Sequence, residues 1–261
     1  MRSARSRLLS PAVIRAGLSF LTAAVAWELL ARFVVDNRLF FSPLSAVLLR
    51  AVTLWQDGSL PHDIAVSFSE FALGFLLAGL LGIGGGVVMA LSPRLRGFLD
   101  PLMSMAYATP IIALGPLFIL WMGIGITSKV AIIFLTAVFP ILINTTTGLS
   151  TTEQILIDVA RSMGGSQAQI YAKVRMPAAL PYIIAGLRLS VARALVGVVV
   201  AELFGARAGL GFLIVNAAQS FDTAGVFVGV LILAVAGAAS VELLKFLEAK
   251  LAPWRFQDEG H

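Results

Sequence analysis

The sequence predicts an all-α membrane protein with six transmembrane helices and a cytoplasmic helix–turn–helix element. Three observations carry this. Of 261 residues, 59% are hydrophobic and 13% charged, against about 45–50% and 25% in a soluble domain. Six mostly apolar stretches are each long enough, at about 20 residues, to cross a hydrocarbon core of about 30 Å. The loops between them reach at most about 30 residues, short of the 50 or so that an independent domain needs. Residues 1–261 therefore read as a single transmembrane domain, with its longest cytoplasmic loop at 150–181.

The expected spans are 16–35, 71–91, 102–122, 130–149, 180–204 and 224–244. In the first, a basic tail, an apolar run and Ala24-Val25-Ala26 also fit a cleavable signal peptide. The apolar run continues through Leu29, Leu30, Phe33, Val34 and Val35, however, and Glu28 with Arg32 forms an i,i+4 pair that eases both charges near the interface. A retained span is the better reading. Ser42-Pro43 reads as an N-cap with proline at the first helical position, opening a short amphipathic helix toward Trp55. Residues 209–218 form a second semi-apolar stretch, too short to cross.

Gly74, Ala78, Gly82 and Gly86 recur every four residues in the second span, and Gly197, Ala201 and Gly205 repeat the device in the fifth. Such stripes let helix backbones approach closely, within one subunit or between two. Pro110, Pro116 and Pro140 interrupt the third and fourth spans and free backbone carbonyls.

Orientation follows from the basic residues. With the N-terminus inside, twelve fall on the cytoplasmic side: Arg2, Arg5, Arg7, Arg15, Arg94, Arg96, Arg161, Lys173, Arg175, Lys245, Lys250 and Arg255. Five fall outside: Arg32, Arg38, Arg50, Lys129 and Arg207. This asymmetry places both termini in the cytoplasm, and it accounts for the net charge of +5 without a nucleic-acid partner. The chain has no cysteine, which excludes disulfides and thiolate chemistry. His62 and His261 lie outside the spans, and no metal site is expected.

The loop 150–181 is polar and organised as two short helices. Ser150 with Glu153 suggests a capping box for the first and Ser166 with Gln169 one for the second, with Gly164-Gly165 as the turn between them. Pro177 and Pro181 are expected to separate this element from the fifth span.

Within it, Asp158-Val159-Ala160, then Gly164 after three intervening residues, and Val174-Arg175-Met176-Pro177 after nine more resemble the signature of ABC-importer permeases. That signature is written Glu-Ala-Ala, three residues, Gly, nine residues, Ile, any residue, Leu-Pro. The spacing matches throughout, with conservative departures at Asp158, Val159, Val174 and Met176. Further stretches are Gly186-Leu187-Arg188-Leu189, Val200-Ala201-Glu202, Ala208-Gly209-Leu210-Gly211 and Trp121-Met122-Gly123-Ile124-Gly125. They resemble the branch that imports sulfonates, taurine, nitrate or bicarbonate, which also contains importers of thiamine-pyrimidine and riboflavin-type compounds. Many sulfonate-type members have arginine shortly before the second-span glycine. This chain has Glu70 before Gly74, a departure that weighs against an anionic substrate.

The resemblance implies a type I importer permease fold for a small polar solute, in a bacterial inner membrane, working as a pair with a second permease copy. It implies a cytoplasmic ABC ATPase dimer, an extracytoplasmic substrate-binding protein, surrounding lipid and no cofactor. The permease itself is then no enzyme. In agreement, no Gly-x-x-x-x-Gly-Lys-Ser/Thr phosphate loop exists, since Gly123 to Lys129 lacks the glycine before its lysine. Asp158, Val159, Ala160, Arg161, Met163, Gly164, Val174, Met176 and Pro177 are the expected coupling residues, with the first loop helix seated in an ATPase groove and Lys173 and Arg175 available to its acids.

Two charges fall inside the fifth span. Arg193 lies near midplane, where an unpaired charge costs about 2.5 kcal/mol or more, so it is expected to meet carbonyls, Glu70 or another acid, or the solute pathway. Arg188 is shallower and can snorkel. Glu202, near the outer end, is expected to pair with Arg207 or border the pathway, and Glu70 is a further pathway candidate. An ion-coupled secondary transporter is the alternative, but it calls for buried midplane carboxylates, and the three acids within or beside spans sit toward the outer ends. An intramembrane enzyme lacks any nucleophile–base or metal constellation.

Overall fold

The computed structural model describes residues 11–35, 37 and 39–252. Arg2, Arg5, Arg7, Arg38, Arg255 and His261 lie outside the described residues. Among the described residues the regular structure is helical throughout, with no strand. Among the described residues five helices are long and apolar enough to cross a membrane, and a sixth crossing exists if one bent pair forms a single span. The chain divides into two compact units, Met1–Asp63 with Leu213–Leu231, and Ile64–Phe212 with Ile232–His261.

In the first unit, α1 (Pro11–Leu29) runs on through a π-helical turn, Leu30–Val34. α2 spans Leu44–Gln56. The expected cap at Ser42 is not used: Pro43 occupies the N-cap position, and no side chain of its own caps the helix. The cap comes from α1. Glu28 Oε2 accepts the Ser45 backbone N–H at 3.0 Å and Oε1 accepts the Ser45 hydroxyl at 2.8 Å. A carboxylate at a helix N-terminus satisfies an orphan donor and complements the macrodipole. Arg32 completes the expected pair with Glu28, Nε donating to Oε1 at 2.6 Å. Trp27 donates its indole N–H to the Ser42 carbonyl at 3.0 Å and packs on Phe41 and Phe227.

Asp57-Gly58 turns the chain out of α2. The Asp57 carboxylate accepts the Ser59 N–H and hydroxyl, and Gly58 takes φ +81°, the left-handed region that glycine enters without steric cost. α3 then runs Ser59–Leu91. His62, expected in a loop, sits in its first turn.

The second unit is organised on α6 (Ile126–Ser150), which packs along α9 (Met176–Leu203). The small-residue stripes explain how closely the helices approach. A Cβ placed on Gly74, Gly82 or Gly86 would meet Ile133, Ile141 or Thr145 of α6 at 2.5–2.9 Å. On the opposite side, Gly186 and Gly197 meet Asn144 and Thr136 of α6 in the same way. The α3 stripe, with Gly197 and Ala201 of the fifth-span stripe, thus packs against α6, whereas Gly205 lies beyond α9 and is only in ordinary contact with Ile124. Ala78, Ile133, Ala137, Ile141, Ala194 and Val198 form the core between the helices. Thr146 donates to the Gly86 carbonyl at 3.3 Å, a cross-link of the kind small-residue seams permit.

The expected third span, 102–122, is broken. α4 (Pro93–Ala108) is followed by a 3₁₀ turn, Ile111–Leu114, and α5 (Gly115–Met122), with a bend of 79° between the two parts. Pro110 is the cause, because it lacks an N–H and forces Thr109 out of helical geometry to ψ 130°. Pro140, by contrast, lies inside a continuous α6. It removes the N–H that would reach the Thr136 carbonyl, and its ring crowds that carbonyl, without ending the helix.

Pro177 and Pro181 do not end a helix either. α7 (Gln154–Ser162) and α8 (Gln167–Ile170) lead through a π-helical turn, Tyr171–Arg175, directly into α9. The wider π turn just ahead of Pro177 accommodates a ring that an unbroken α-helix would crowd. α10 (Leu210–Gln219) and α11 (Thr223–Leu251) complete the chain.

Candidate functional site

Two places concentrate the residues singled out by sequence. The first is the element formed by α7, the glycine turn and α8. Its expected opening box fails, since Ser150 ends α6 and Glu153 is an N-cap without a side-chain bond. The second box is present in full: Ser166 Oγ accepts the Gln169 N–H and the Gln169 side chain accepts the Ser166 N–H. Between the helices, Gly164 N–H donates to the Arg161 carbonyl and Gly165 N–H to the Ala160 carbonyl, both at 2.9 Å. This paired closure is a Schellman motif, and it requires the φ of +78° found at Gly164. Gly165 is confined for a different reason. A Cβ there would lie 2.7 Å from the Ala160 carbonyl oxygen.

α7 is amphipathic in an unusual sense. Ile157 is buried, while Ile155, Leu156, Val159 and Met163 point outward, Met163 with 83% of its surface accessible. Val159, Ala160, Met163, Lys173, Val174 and Pro177 line a groove of about 410 Å³. Asp158 and Arg161 lie on the exposed side of the helix, where Asp158 accepts from Gln154 at 2.9 Å and faces Arg161 at 3.8 Å. Met176 turns inward and packs against the Leu149, Ala179 and Ile183 cluster. The signature residues are thus brought together at one surface, with Met176 as their root in the bundle.

The second place is a cavity of about 440 Å³ lined by Tyr107, Thr109, Pro110, Ile111, Ile112, Thr136, Phe139, Ala192, Arg193 and Val196. The bend at Pro110 opens one wall, and α6 and α9 supply the others. Arg193 does not reach Glu70. Its Nη2 donates to the Tyr107 hydroxyl at 2.7 Å, with the guanidinium carbon 4.5 Å from the centre of the Tyr107 ring. Glu70 instead pairs with Lys129, at 2.6 Å. Nor does Glu202 pair with Arg207. It is buried at 2% exposure, and its Oε1 accepts the Ser67 hydroxyl while Oε2 accepts the Gly211 N–H, each at 2.5 Å. Ser67 Oγ in turn accepts the Leu210 N–H at 2.7 Å, so the first turn of α10 is held by a buried carboxylate and a serine. Arg188, expected to snorkel, bonds Glu248 of α11 at 2.5 Å.

Four partners escaped the sequence reading: Tyr107, Lys129, Ser67 and Glu248. Each is remote in sequence from the residue it serves, at separations of 86, 59, 135 and 60. Only the phenol of Tyr107 in an apolar stretch, and the lysine count outside the spans, gave any hint.

An apolar helical bundle with an arginine-bearing cavity beside a broken helix, and an exposed apolar groove at a glycine turn, marks an integral-membrane protein. Its fold is that of type I ABC importer permeases. The inward-facing MetNI methionine ABC transporter matches with a TM-score of 0.60 at 17% identity, covering 73% of this chain and 93% of that one. An amino acid ABC transporter crystallised with histidines matches at 0.62 and 14%, covering 78% and 96%.

The sequence goes further. Residues 80–253 match the model of the family described as binding-protein-dependent transport system inner membrane component, and the chain belongs to that family. It is 38% identical to SsuC of Bacillus subtilis, named for aliphatic sulfonates transport, over 97% of this chain and 88% of the relative. It is 35% identical to the taurine transport system permease TauC of Escherichia coli, over 91% and 89%. It is 34% identical to the formylaminopyrimidine transport permease ThiX of Halalkalibacterium halodurans, over 91% and 94%. The protein is an ABC importer permease subunit, multi-pass in the inner membrane.

Proposed function

We propose that this permease forms the membrane pathway for a small polar solute of the sulfonate or pyrimidine kind, delivered by an extracytoplasmic binding protein and driven by a separate ATPase dimer. Hydrolysis belongs to that partner. In this reading both termini are cytoplasmic, the whole chain acts as one permease domain, and a second copy completes the pathway within the lipid bilayer. The ATPase docks on α7. The observation that carries this is the outward-facing apolar row Ile155, Val159 and Met163, set one helical turn apart beside the groove. Exposed apolar side chains on a short polar-flanked helix mark a protein interface.

Asp158, Val159, Ala160, Arg161, Met163, Gly164, Val174 and Pro177 would form the coupling surface, with Met176 transmitting its movement to α9. Arg193 lines the pathway from the cavity. Glu70 and Glu202, each at most 3% exposed, do not line that cavity; in this reading they brace the surrounding helices through Lys129 and Ser67.

A mild-detergent pull-down of the tagged chain from its native membrane tests the assignment. Recovery of an ATPase, lost when residues Asp158 to Gly164 are mutated, supports it. Recovery of the chain alone, still transporting on an ion gradient in liposomes, overturns it.

A further inference from the structure

We infer that the Arg193 cavity is a selectivity site for an organic oxyanion, a sulfonate or carboxylate head on a short apolar tail. This rests on the permease reading above and decides between the solute kinds it leaves open.

The argument begins with charge. The guanidinium lies in the middle of a spanning helix, and its hydrogen-bond partner among the described residues is a neutral phenol. Among the described residues no acid lines the cavity. Two other basic groups of this unit are neutralised by contrast, Lys129 by Glu70 and Arg188 by Glu248. A cation kept at membrane depth without a counter-charge is costly unless something anionic visits it. Neither threonine relieves it. The Thr109 and Thr136 hydroxyls donate to the Met105 and Ile133 carbonyls of their own helices, at 2.9 and 2.8 Å.

Position and shape follow. Tyr107 uses one N–H of the guanidinium and lies against its face, which leaves the remaining donors of a planar fork suited to two oxygens of one head group. Ile111, Ile112, Phe139 and Val196 supply an apolar wall for a short tail. An uncharged pyrimidine would leave the guanidinium uncompensated. Glu70, the departure that weighed against an anion, is masked by Lys129 and does not line the cavity.

The test uses the permease–ATPase complex in phosphatidylcholine nanodiscs without binding protein, and reads equilibrium binding of labelled ethanesulfonate and of an uncharged aminopyrimidine. Ethanesulfonate is expected to bind more tightly. Arg193→Gln should weaken it about tenfold or more, the scale of a charge-assisted bond. Arg193→Lys should recover part of the loss, and Tyr107→Phe should weaken binding a few-fold while leaving the preference for the anion. Absence of ethanesulfonate binding, equal affinity in Arg193→Gln, or a preference for the pyrimidine overturns the inference. So does displacement of ethanesulfonate by phosphatidylglycerol discs through Arg193, which would make this a lipid-phosphate site. Failure of the ATPase to co-purify strikes the permease reading instead, and ethanesulfonate binding to the chain alone still scores the cavity.

Discussion

Lys129 Nζ lies 2.6 Å from Glu70 Oε1, with 12% and 4% of the two side chains accessible. The pair ties the first turn of α6 to α3 at the edge of the core in which Gly74 meets Ile133. Glu70 Oε2 has no hydrogen-bond partner among the described residues, so Lys129 supplies the main compensation for a desolvated carboxylate. The pair therefore matters more for what its loss exposes than for what it contributes.

Removing one partner should cost far more than removing both. Lys129→Met leaves an uncompensated buried carboxylate, an effect of about 3–5 kcal/mol, whereas the double change to Lys129→Met with Glu70→Leu should lie near neutrality. Thermal unfolding of the four proteins in one detergent reads the cycle. Additive losses would show that the ion pair is solvated and of little consequence.

Ser67→Ala should loosen the first turn of α10. It strips a partner from both the Leu210 N–H and Glu202 Oε1, costing about 1–3 kcal/mol. Faster amide hydrogen exchange at Leu210 and Gly211, with α9 unaffected, is the expected signature. Gly209→Ala should be at least as damaging. Gly209 has φ +122°, and an added Cβ would collide with the Glu202 carboxylate.

Most of the fold was legible because lipid imposes it. Apolar run length gave the spans, and the four-residue glycine period gave the α3 face that meets α6. Ser166 with Gln169 gave its capping box because both bonds are local. The failures share a cause. Proline removes a donor wherever it falls, but whether the helix breaks depends on what lies beside it. At Pro110 the chain opens into a cavity, at Pro140 α6 continues as one helix, and at Pro177 a π turn absorbs the ring. Glu28 caps α2 from another helix, which no window along the sequence reveals. The charges of Arg193, Glu70 and Glu202 were visible, but their partners are set by tertiary packing.

The glycine stripe on α3 separates packing within a chain from packing between copies. Gly86→Ala places a Cβ 2.6 Å from Thr145 Cβ and 2.9 Å from the Leu142 carbonyl oxygen, whereas Gly84→Ala meets nothing within 4 Å. Overpacking of this kind costs about 1–3 kcal/mol. The expected outcome is a lower unfolding temperature for Gly86→Ala and none of that loss for Gly84→Ala. The reverse order would locate the critical contact between two copies.

The glycine turn offers the sharpest test of coupling. Gly164 holds φ +78°, a conformation that costs other residues about 1–2 kcal/mol. No atom lies within 4 Å of its missing Cβ. A side chain there therefore strains the turn and projects from the proposed docking surface without disturbing the bundle. Gly164→Trp should insert and unfold like the parent, yet lose ATP-driven uptake in proteoliposomes. Ser166→Ala weakens the neighbouring cap by about 1 kcal/mol but adds no bulk, so it should reduce uptake only slightly. If Gly164→Trp transported normally with its ATPase bound, α7 would not be the coupling element. If Ser166→Ala abolished uptake as fully, the rigidity of α8 rather than the surface of α7 would carry the signal.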